Sequence, residues 1–355
     1  MQEKKIESNQ FKCSNCGGNL VYKPSAKKLF CDKCYSSFEI KEESVGELHS
    51  LYEKRGNSES YSQFIEANKM FKCNNCGASV ILNKYEISKK CPYCDASLVI
   101  DEKNIPGINP DAVIPFAFDK EKAGEIFCAD VKKRFFAPRK FKKQIPESEI
   151  SALYIPAFSY FGNSQSKYDG RLYTEHTVTD RDGHSHTERR YFYISGSNTL
   201  NYSDVVVESC SHISQKDING VLPYRYGEKK GYKNEYLLGY SVEHYDKDVD
   251  ECVPTYKTIV SQMIRGAILK KYSYSGVDYL NVKTDYSNEK YYYYILPVYR
   301  FEYQYKKKKY STYMNAQTGK VDKNIPKSGL KIAMCVIFFV LLFLLPLILS
   351  IVLSN

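Results

Sequence analysis

Eight of the twelve cysteines fall in four C-x-x-C pairs. Cys13, Cys16, Cys31 and Cys34 are spaced C-x2-C-x14-C-x2-C, and Cys73, Cys76, Cys91 and Cys94 repeat that spacing sixty residues later. FKCSNCGGNLVYKPSAKKLFCDKCYSSFEI and FKCNNCGASVILNKYEISKKCPYCDASLVI agree at 10 of 30 positions, an internal duplication. Two residues between cysteines let a tight turn aim both sulfurs at one ion, and two such knuckles close a tetrahedral four-thiolate site with no position left for water. Such a site is structural rather than catalytic. Gly17 and Gly77, directly after a second cysteine, can take the left-handed backbone that a knuckle asks for. Disulfides conflict with the cytoplasmic location argued below, and a redox C-x-x-C does not come four times at matched spacing. Two structural zinc ions are expected, with iron in a rubredoxin-like site the alternative, because both metals accept four thiolates.

A ribbon this small cannot bury enough apolar surface to fold alone, so metal binding supplies most of its folding free energy. The expected small cores are Phe11, Leu20, Val21, Phe30, Phe38 and Ile40 in the first ribbon, and Phe71, Val80, Ile81, Leu98 and Ile100 in the second. Between them, EESVGELHSLYEKRGNSESYSQFIEANKM is charged and poor in aromatics, which predicts a short helix followed by a soft linker, with His49 solvated.

The chain closes on a second constraint. From Ile332 to Leu353 there are 22 residues without a charge, about 33 Å of helix, against a hydrocarbon core of about 30 Å. Pro346 is compatible with a membrane helix. Lys320, Lys323, Lys327 and Lys331 crowd the N-terminal flank, and basic residues stay on the cytoplasmic face. The expectation is a tail-anchored, single-pass protein of the cell membrane with its N-terminal region in the cytoplasm. MQEKKIESNQF lacks the apolar core of a signal peptide, which agrees.

The +10 net charge does not sit on the ribbons, where 16 basic residues over 1–104 face 14 acidic ones. Strong phosphate binding by them is not favoured. After GINPDAVIPF tyrosine rises and β propensity dominates. Two stretches interrupt with helical spacing. Asp119 to Phe136 places Ala123, Ile126, Phe127, Val131 and Phe135 on one face, with Asp119 as cap, and Asp248 to Tyr272 places Val253, Tyr256, Val260, Met263, Ala267 and Ile268 on another. The strands that follow, ALYIPAFSYFGNSQSKYDGRLYTEH and YYILPVYRFEYQYKKKKYSTYMNA, each set a proline step before aromatic alternation and a polar turn. The expected fold is α+β: zinc ribbons at 1–42 and 70–104, a linker at 43–69, a tyrosine-rich domain of two β-helix-β-hairpin repeats at 105–329, and a transmembrane helix at 330–353.

His176, His184 and His186 lie close together around the turn DRDG, but no carboxylate stands at ligand spacing, and they read as exposed hairpin residues. Cys128, Cys210, Cys252 and Cys335 are isolated and read as buried or lipid-facing. With no Gly-rich phosphate loop, nucleophile elbow or paired acidic motif, nothing argues for an enzyme. Two basic clusters remain: KKRFFAPRKFKK, residues 132–143, and YQYKKKKY, expected to be a hairpin turning at Lys306, Lys307, Lys308 and Lys309. That turn lies close before the apolar run, where anionic head groups attract each lysine by about 1 kcal/mol, so lipid contact is expected there.

The ribbon pair, IPFAF leading to a helix that ends KKRFFAP, the strand LYIPAFSYF, and LPVYRFEY with MNAQTGKV before a closing apolar helix together resemble a group of bacterial membrane-anchored TFIIB-like double zinc-ribbon proteins. Members often carry tryptophan in the two proline-aromatic strands. This chain has none and places Phe158 and Tyr299 there. The resemblance implies a membrane-stress component that works with SPFH/flotillin-like proteins and recruits a phage-shock-protein-A-like partner. It transfers no catalytic residue, and the helicase-like label given to some members should carry no ATPase onto a chain without a phosphate loop. The reading is a non-enzymatic membrane adaptor whose ribbons recruit a protein partner, with a membrane-tethered nucleic-acid binder as the alternative.

Overall fold

The computed structural model describes residues 11–53, 69–73, 75–82, 86–100, 107–145, 149–211 and 213–353, with 69–72, 144, 343 and 345–353 described by backbone alone. The first ribbon is a three-stranded antiparallel sheet of β1 (Leu20–Lys23), β2 (Lys28–Cys31) and β3 (Ser37–Phe38). Of its expected core, Leu20 is buried while Phe11, Phe38 and Ile40 lie partly buried against the main core.

The segment after it is not wholly a soft linker. β4 (His49–Ser50) pairs with a long strand of the main domain, and His49, expected to be solvated, sets Nε2 2.7 Å from Asp111 Oδ1. Leu51 is buried, and the Tyr52 hydroxyl donates to the carboxylate of Glu289. The short helix expected at the start of this segment does not form over residues 42–53, and residues 54–68 lie outside the described residues.

The second ribbon comprises β5 (Lys69–Lys72) paired with β6 (Ser79–Leu82), and the hairpin of β7 (Glu86–Lys90) and β8 (Ser97–Val99). Along β6 the strand period turns Val80 and Leu82 inward and leaves Ile81 61% exposed, so Ile81 is not a core residue. Phe71 has no described side chain.

The main domain runs β9 (Ala112–Val113), α1 (Lys120–Lys133), α2 (Arg139–Gln144), the long hairpin of β10 (Glu149–Thr179) and β11 (Ser185–Glu208), α3 (Gln215–Val221) and β12 (Lys230–Gly231). Then come β13 (Ser241–Glu243), α4 (Val249–Leu269), the hairpin of β14 (Gly276–Tyr305) and β15 (Lys308–Asn315), and α5 (Gly329–Leu353). Strand, helix and hairpin thus occur twice in the same order. β10 and β14 pair antiparallel along most of their length; β13 lies parallel beside β10 at Leu153–Tyr154, and β9 parallel beside β14 at Tyr294–Ile295.

Pro156 falls between Tyr154, the last residue of β10 paired to β13, and Ala157, the first paired to β11. Pro297 likewise falls between Ile295, paired to β9, and Val298, paired to β15. Proline cannot donate to a ladder, and each sits where a long strand changes partner.

Leu153–Tyr160 and Tyr293–Tyr299 are buried without a break, as strands covered on both faces must be. Tyr154, Phe158 and Tyr160 join the larger core on one side; Leu153, Ile155 and Ala157 join a smaller one on the other. Farther along β10 the pattern alternates, with Tyr168 and Leu172 inward and Lys167 and Asp169 outward. α4 covers this inward side: the Tyr256 ring stacks on Tyr160 at 4.4 Å, and its hydroxyl lies 3.1 Å from that of Tyr202.

α4 starts on a capping box of Asp248 and Glu251, and its buried face is Val249, Cys252, Tyr256, Val260, Ile264 and Ile268, leaving Met263 41% exposed. α1 begins after Asp119, whose side chain makes no capping bond, and ends at Arg134. Phe135 therefore does not continue the apolar face but stands 67% exposed in the turn before Pro138. Cys210 and Cys252 are buried, whereas Cys128 and Cys335 are half-buried.

The uncharged C-terminal run is a helix, α5, as expected. Among the described residues, side chains included only to Leu342 and at Leu344 of this run, no helix is long and apolar enough to cross a membrane. Its passage through a bilayer is therefore a proposal.

Candidate metal centres

Each C-x-x-C pair folds as a closed knuckle. The Gly17 N–H donates to Cys13 O at 2.8 Å and the Cys13 N–H to Gly18 O at 2.9 Å, and Gly77, Cys73 and Ala78 repeat this at 2.7 and 2.7 Å. The downstream pairs close the same way, Tyr35 onto Cys31 at 3.2 Å and Asp95 onto Cys91 at 2.9 Å. In all four knuckles the residue after the second cysteine has positive φ: Gly17 at 70°, Tyr35 at 60°, Gly77 at 73° and Asp95 at 56°. A side chain costs about 1–2 kcal/mol in that conformation. Gly77→Ala is thus expected to weaken the second ribbon by about 1–2 kcal/mol, and Asp95→Gly to strengthen it by up to about 1 kcal/mol, once glycine's own entropy is counted. Competition with a chelator reads both signs.

The knuckles bring the sulfurs together in two quartets, Cys13, Cys16, Cys31 and Cys34 and then Cys73, Cys76, Cys91 and Cys94, with all ligand atoms of a quartet within 4.8 Å of one another. Sulfur to sulfur, Cys13–Cys34 is 3.5 Å, Cys16–Cys31 3.4 Å, Cys73–Cys94 3.7 Å and Cys76–Cys91 3.8 Å. A tetrahedral ion with thiolate bonds of about 2.3 Å asks for about 3.8 Å. The donor sets fit a four-thiolate metal ion. In each quartet the first and third cysteines are buried and the second is exposed.

Electrostatics agrees with that fit. Hydrogen bonds from the side chain and backbone of Ser36 pull the Cys34 thiol down to about 6, toward the thiolate a metal requires. Cys16 moves the other way, to about 12: the Gly18 N–H lowers it, but hydrogen bonding to Cys34 and Cys31 outweighs that. Four sulfurs this close cannot all hold negative charge without a cation among them.

Both ribbons are fastened to the main domain. β7 pairs with β13 through Ser88 and Val242, and the Gly239 N–H donates to Ser97 Oγ at 3.0 Å. From the first ribbon, the Tyr22 N–H donates to Leu238 O at 3.0 Å, with the Tyr22 ring edge-on to Tyr236 at 5.5 Å. Lys12 joins ribbon to ribbon, donating to Asn19 Oδ1 at 2.8 Å and Asn75 Oδ1 at 2.6 Å. Sequence reasoning missed two exposed residues beside the cysteines: Tyr35, 80% exposed, and Tyr93, 72% exposed. Their position inside or just after a C-x-x-C was the available signal, since a knuckle side chain has little core to enter.

The other flagged groups do not form a second centre. His186 lies 3.5 Å from Asp180 and 3.2 Å from Glu188, His176 meets Thr174, and His184 sits in the turn before β11. Among the described residues, only the two cysteine quartets gather three or more ligand atoms. At the second hairpin the turn is Lys306–Lys307 alone, both at positive φ, with Lys308 and Lys309 inside β15.

The chain is 26% identical over 324 residues to the uncharacterized protein YdjG of Bacillus subtilis (strain 168), covering 91% of this chain and 92% of that one. No protein-family model matches, and no solved structure matches.

Proposed function

We propose that the chain is a membrane-anchored adaptor, not an enzyme: α5 enters the bilayer, two zinc ions close the ribbons, and the ribbon ends hold a cytoplasmic protein partner. The observation that carries the reading is α5. Val336–Leu342 are seven successive apolar residues, two turns of helix, each 48–60% exposed. A helix on a protein surface hides one side; one that is apolar all round belongs in a core or in lipid. The closed thiolate sites support a structural metal, and Tyr35 and Tyr93 supply the rigid aromatic tips that protein interfaces favour. Partners of the SPFH/flotillin-like or phage-shock-protein-A-like kind fit this role through the resemblance of the sequence.

The test is a quantitative pull-down from gently solubilised membranes, comparing the intact chain with the Tyr35→Ser, Tyr93→Ser double variant. Deleting residues 1–104 would be a poor comparison, because β7 belongs to the main sheet. A protein whose recovery falls roughly ten-fold or more supports recruitment by the ribbons. Equal recovery overturns it, and nucleic acid lost on the same substitutions would install the nucleic-acid binder instead.

A further inference from the structure

The two basic clusters, 170 residues apart in sequence, meet at the foot of α5. Phe141 of α2 is buried with its ring 4.8 Å from Tyr303 and 5.8 Å from Tyr305, which brings α2 against the end of the β14–β15 hairpin. α5 begins on the turn before α2: the Ser328 N–H donates to Phe136 O at 2.9 Å, and Lys331 Nζ donates to Phe135 O at 2.7 Å and Ala137 O at 2.9 Å. Around this foot stand Lys132, Lys133, Arg139, Lys140 and Lys143, all exposed, and the exposed Lys306–Lys309 of the hairpin. Among the described residues, none of these has an acidic partner within 4 Å. Phe135 and Phe136 project between them, 67% and 38% exposed and edge-on to each other at 5.2 Å.

We infer that this platform binds the anionic head groups of the same bilayer that α5 enters, with Phe135 and Phe136 seated at the interface; the inference rests on the anchoring proposed above. Charge complementarity selects the occupant. Unpaired cations placed where an apolar helix leaves the protein face the head-group layer, and aromatic rings favour that depth. The turn itself points to use. Lys306 and Lys307 adopt φ of 48° and 63°, in a two-residue hairpin turn that ordinarily takes Asn-Gly, so turn stability does not account for lysine at either position.

The chain has no tryptophan, so Phe135→Trp in the full chain gives a sole indole reporter. Flotation with vesicles reads anchoring; quenching of the indole by lipids brominated near the head group reads the platform. In phosphatidylcholine vesicles containing about a third phosphatidylglycerol, we expect blue-shifted emission and at least two-fold stronger quenching than in phosphatidylcholine alone, an effect lowered by salt. Lys306→Glu with Lys307→Glu, or separately Arg139→Gln with Lys140→Gln, should abolish the difference while flotation persists. Flotation with identical emission in both lipids overturns the inference and leaves the anchor standing. Failure to float overturns both. Displacement of the quenching by a double-stranded oligonucleotide overturns the lipid assignment in favour of nucleic acid.

Discussion

Cys91→Ser is expected to lower the melting temperature of the main domain by roughly 8–16 °C, whereas Cys31→Ser is expected to lower it by about 4 °C or less. Each substitution removes one ligand from one quartet, so under the two-zinc reading proposed above each should reduce bound metal from two ions per chain to one. The asymmetry comes from where the strands go. Cys91 ends the strand that pairs with β13, and the β7–β8 hairpin buries Ile87, Leu98, Val99 and Ile100 at 2% exposure or less. Freeing that hairpin uncovers apolar side chains worth about 1.5–3 kcal/mol each, so a loss of about 4 kcal/mol requires only part of them to come out. The first ribbon packs on the body with Tyr22 and other apolar side chains and makes one backbone bond to it, but its three strands form a sheet of their own and none enters the main sheet. Calorimetry of the two variants, with metal content measured alongside, checks both halves. Equal shifts would mean that the second ribbon is no more a part of the main sheet than the first.

Cysteine spacing is legible because metal geometry leaves it little freedom. A quartet must fold into a site of fixed size, and the two repeats do so with the same knuckle bonds. Helix existence was legible for the same kind of reason, since the period of Ala123, Phe127 and Val131, or of Tyr256 and Val260, survives in the buried faces. What the sequence hid is contact between distant segments. Nothing local in KKRFFAPRKFKK says that Phe141 turns in against Tyr303 while Phe135 turns out, because α1 already stops at Lys133 and the strands that receive Phe141 are more than 150 residues away. His49 reads as solvated until Asp111 is placed beside it. The proline steps were visible as a similarity between two strands, but their reason, a change of ladder partner, exists only once the sheet is assembled.

Phe116→Ala should lower stability by about 4–5 kcal/mol, or roughly 8–20 °C in melting temperature. The ring is 1% exposed and lies at the meeting point of both halves of the domain: edge-on to Tyr154 of β10 at 4.9 Å, edge-on to Tyr299 of β14 at 5.1 Å, and stacked on Tyr240 at 4.2 Å. Truncation removes the buried ring and leaves a cavity that these neighbours cannot fill, because each is held elsewhere. Tyr299 donates its hydroxyl to Phe118 O at 2.7 Å, and Tyr154 belongs to a strand paired on both sides. Such aromatic pairs add about 0.5–1.5 kcal/mol each beyond area burial. Tyr193→Ala, at a ring 73% exposed on β11, is the control and should stay within about 0.5 kcal/mol. The effect should also reach the metal. Tyr240 carries Tyr22 of the first ribbon at 6.4 Å, so a cavity beneath Tyr240 loosens that ribbon's seat while β7 keeps the second ribbon in the sheet. A chelator should therefore extract zinc from Cys13, Cys16, Cys31 and Cys34 faster in Phe116→Ala than in the parent chain, with the rate at the second quartet unchanged. A loss below about 1.5 kcal/mol would show that the ring is not the joint between the two halves.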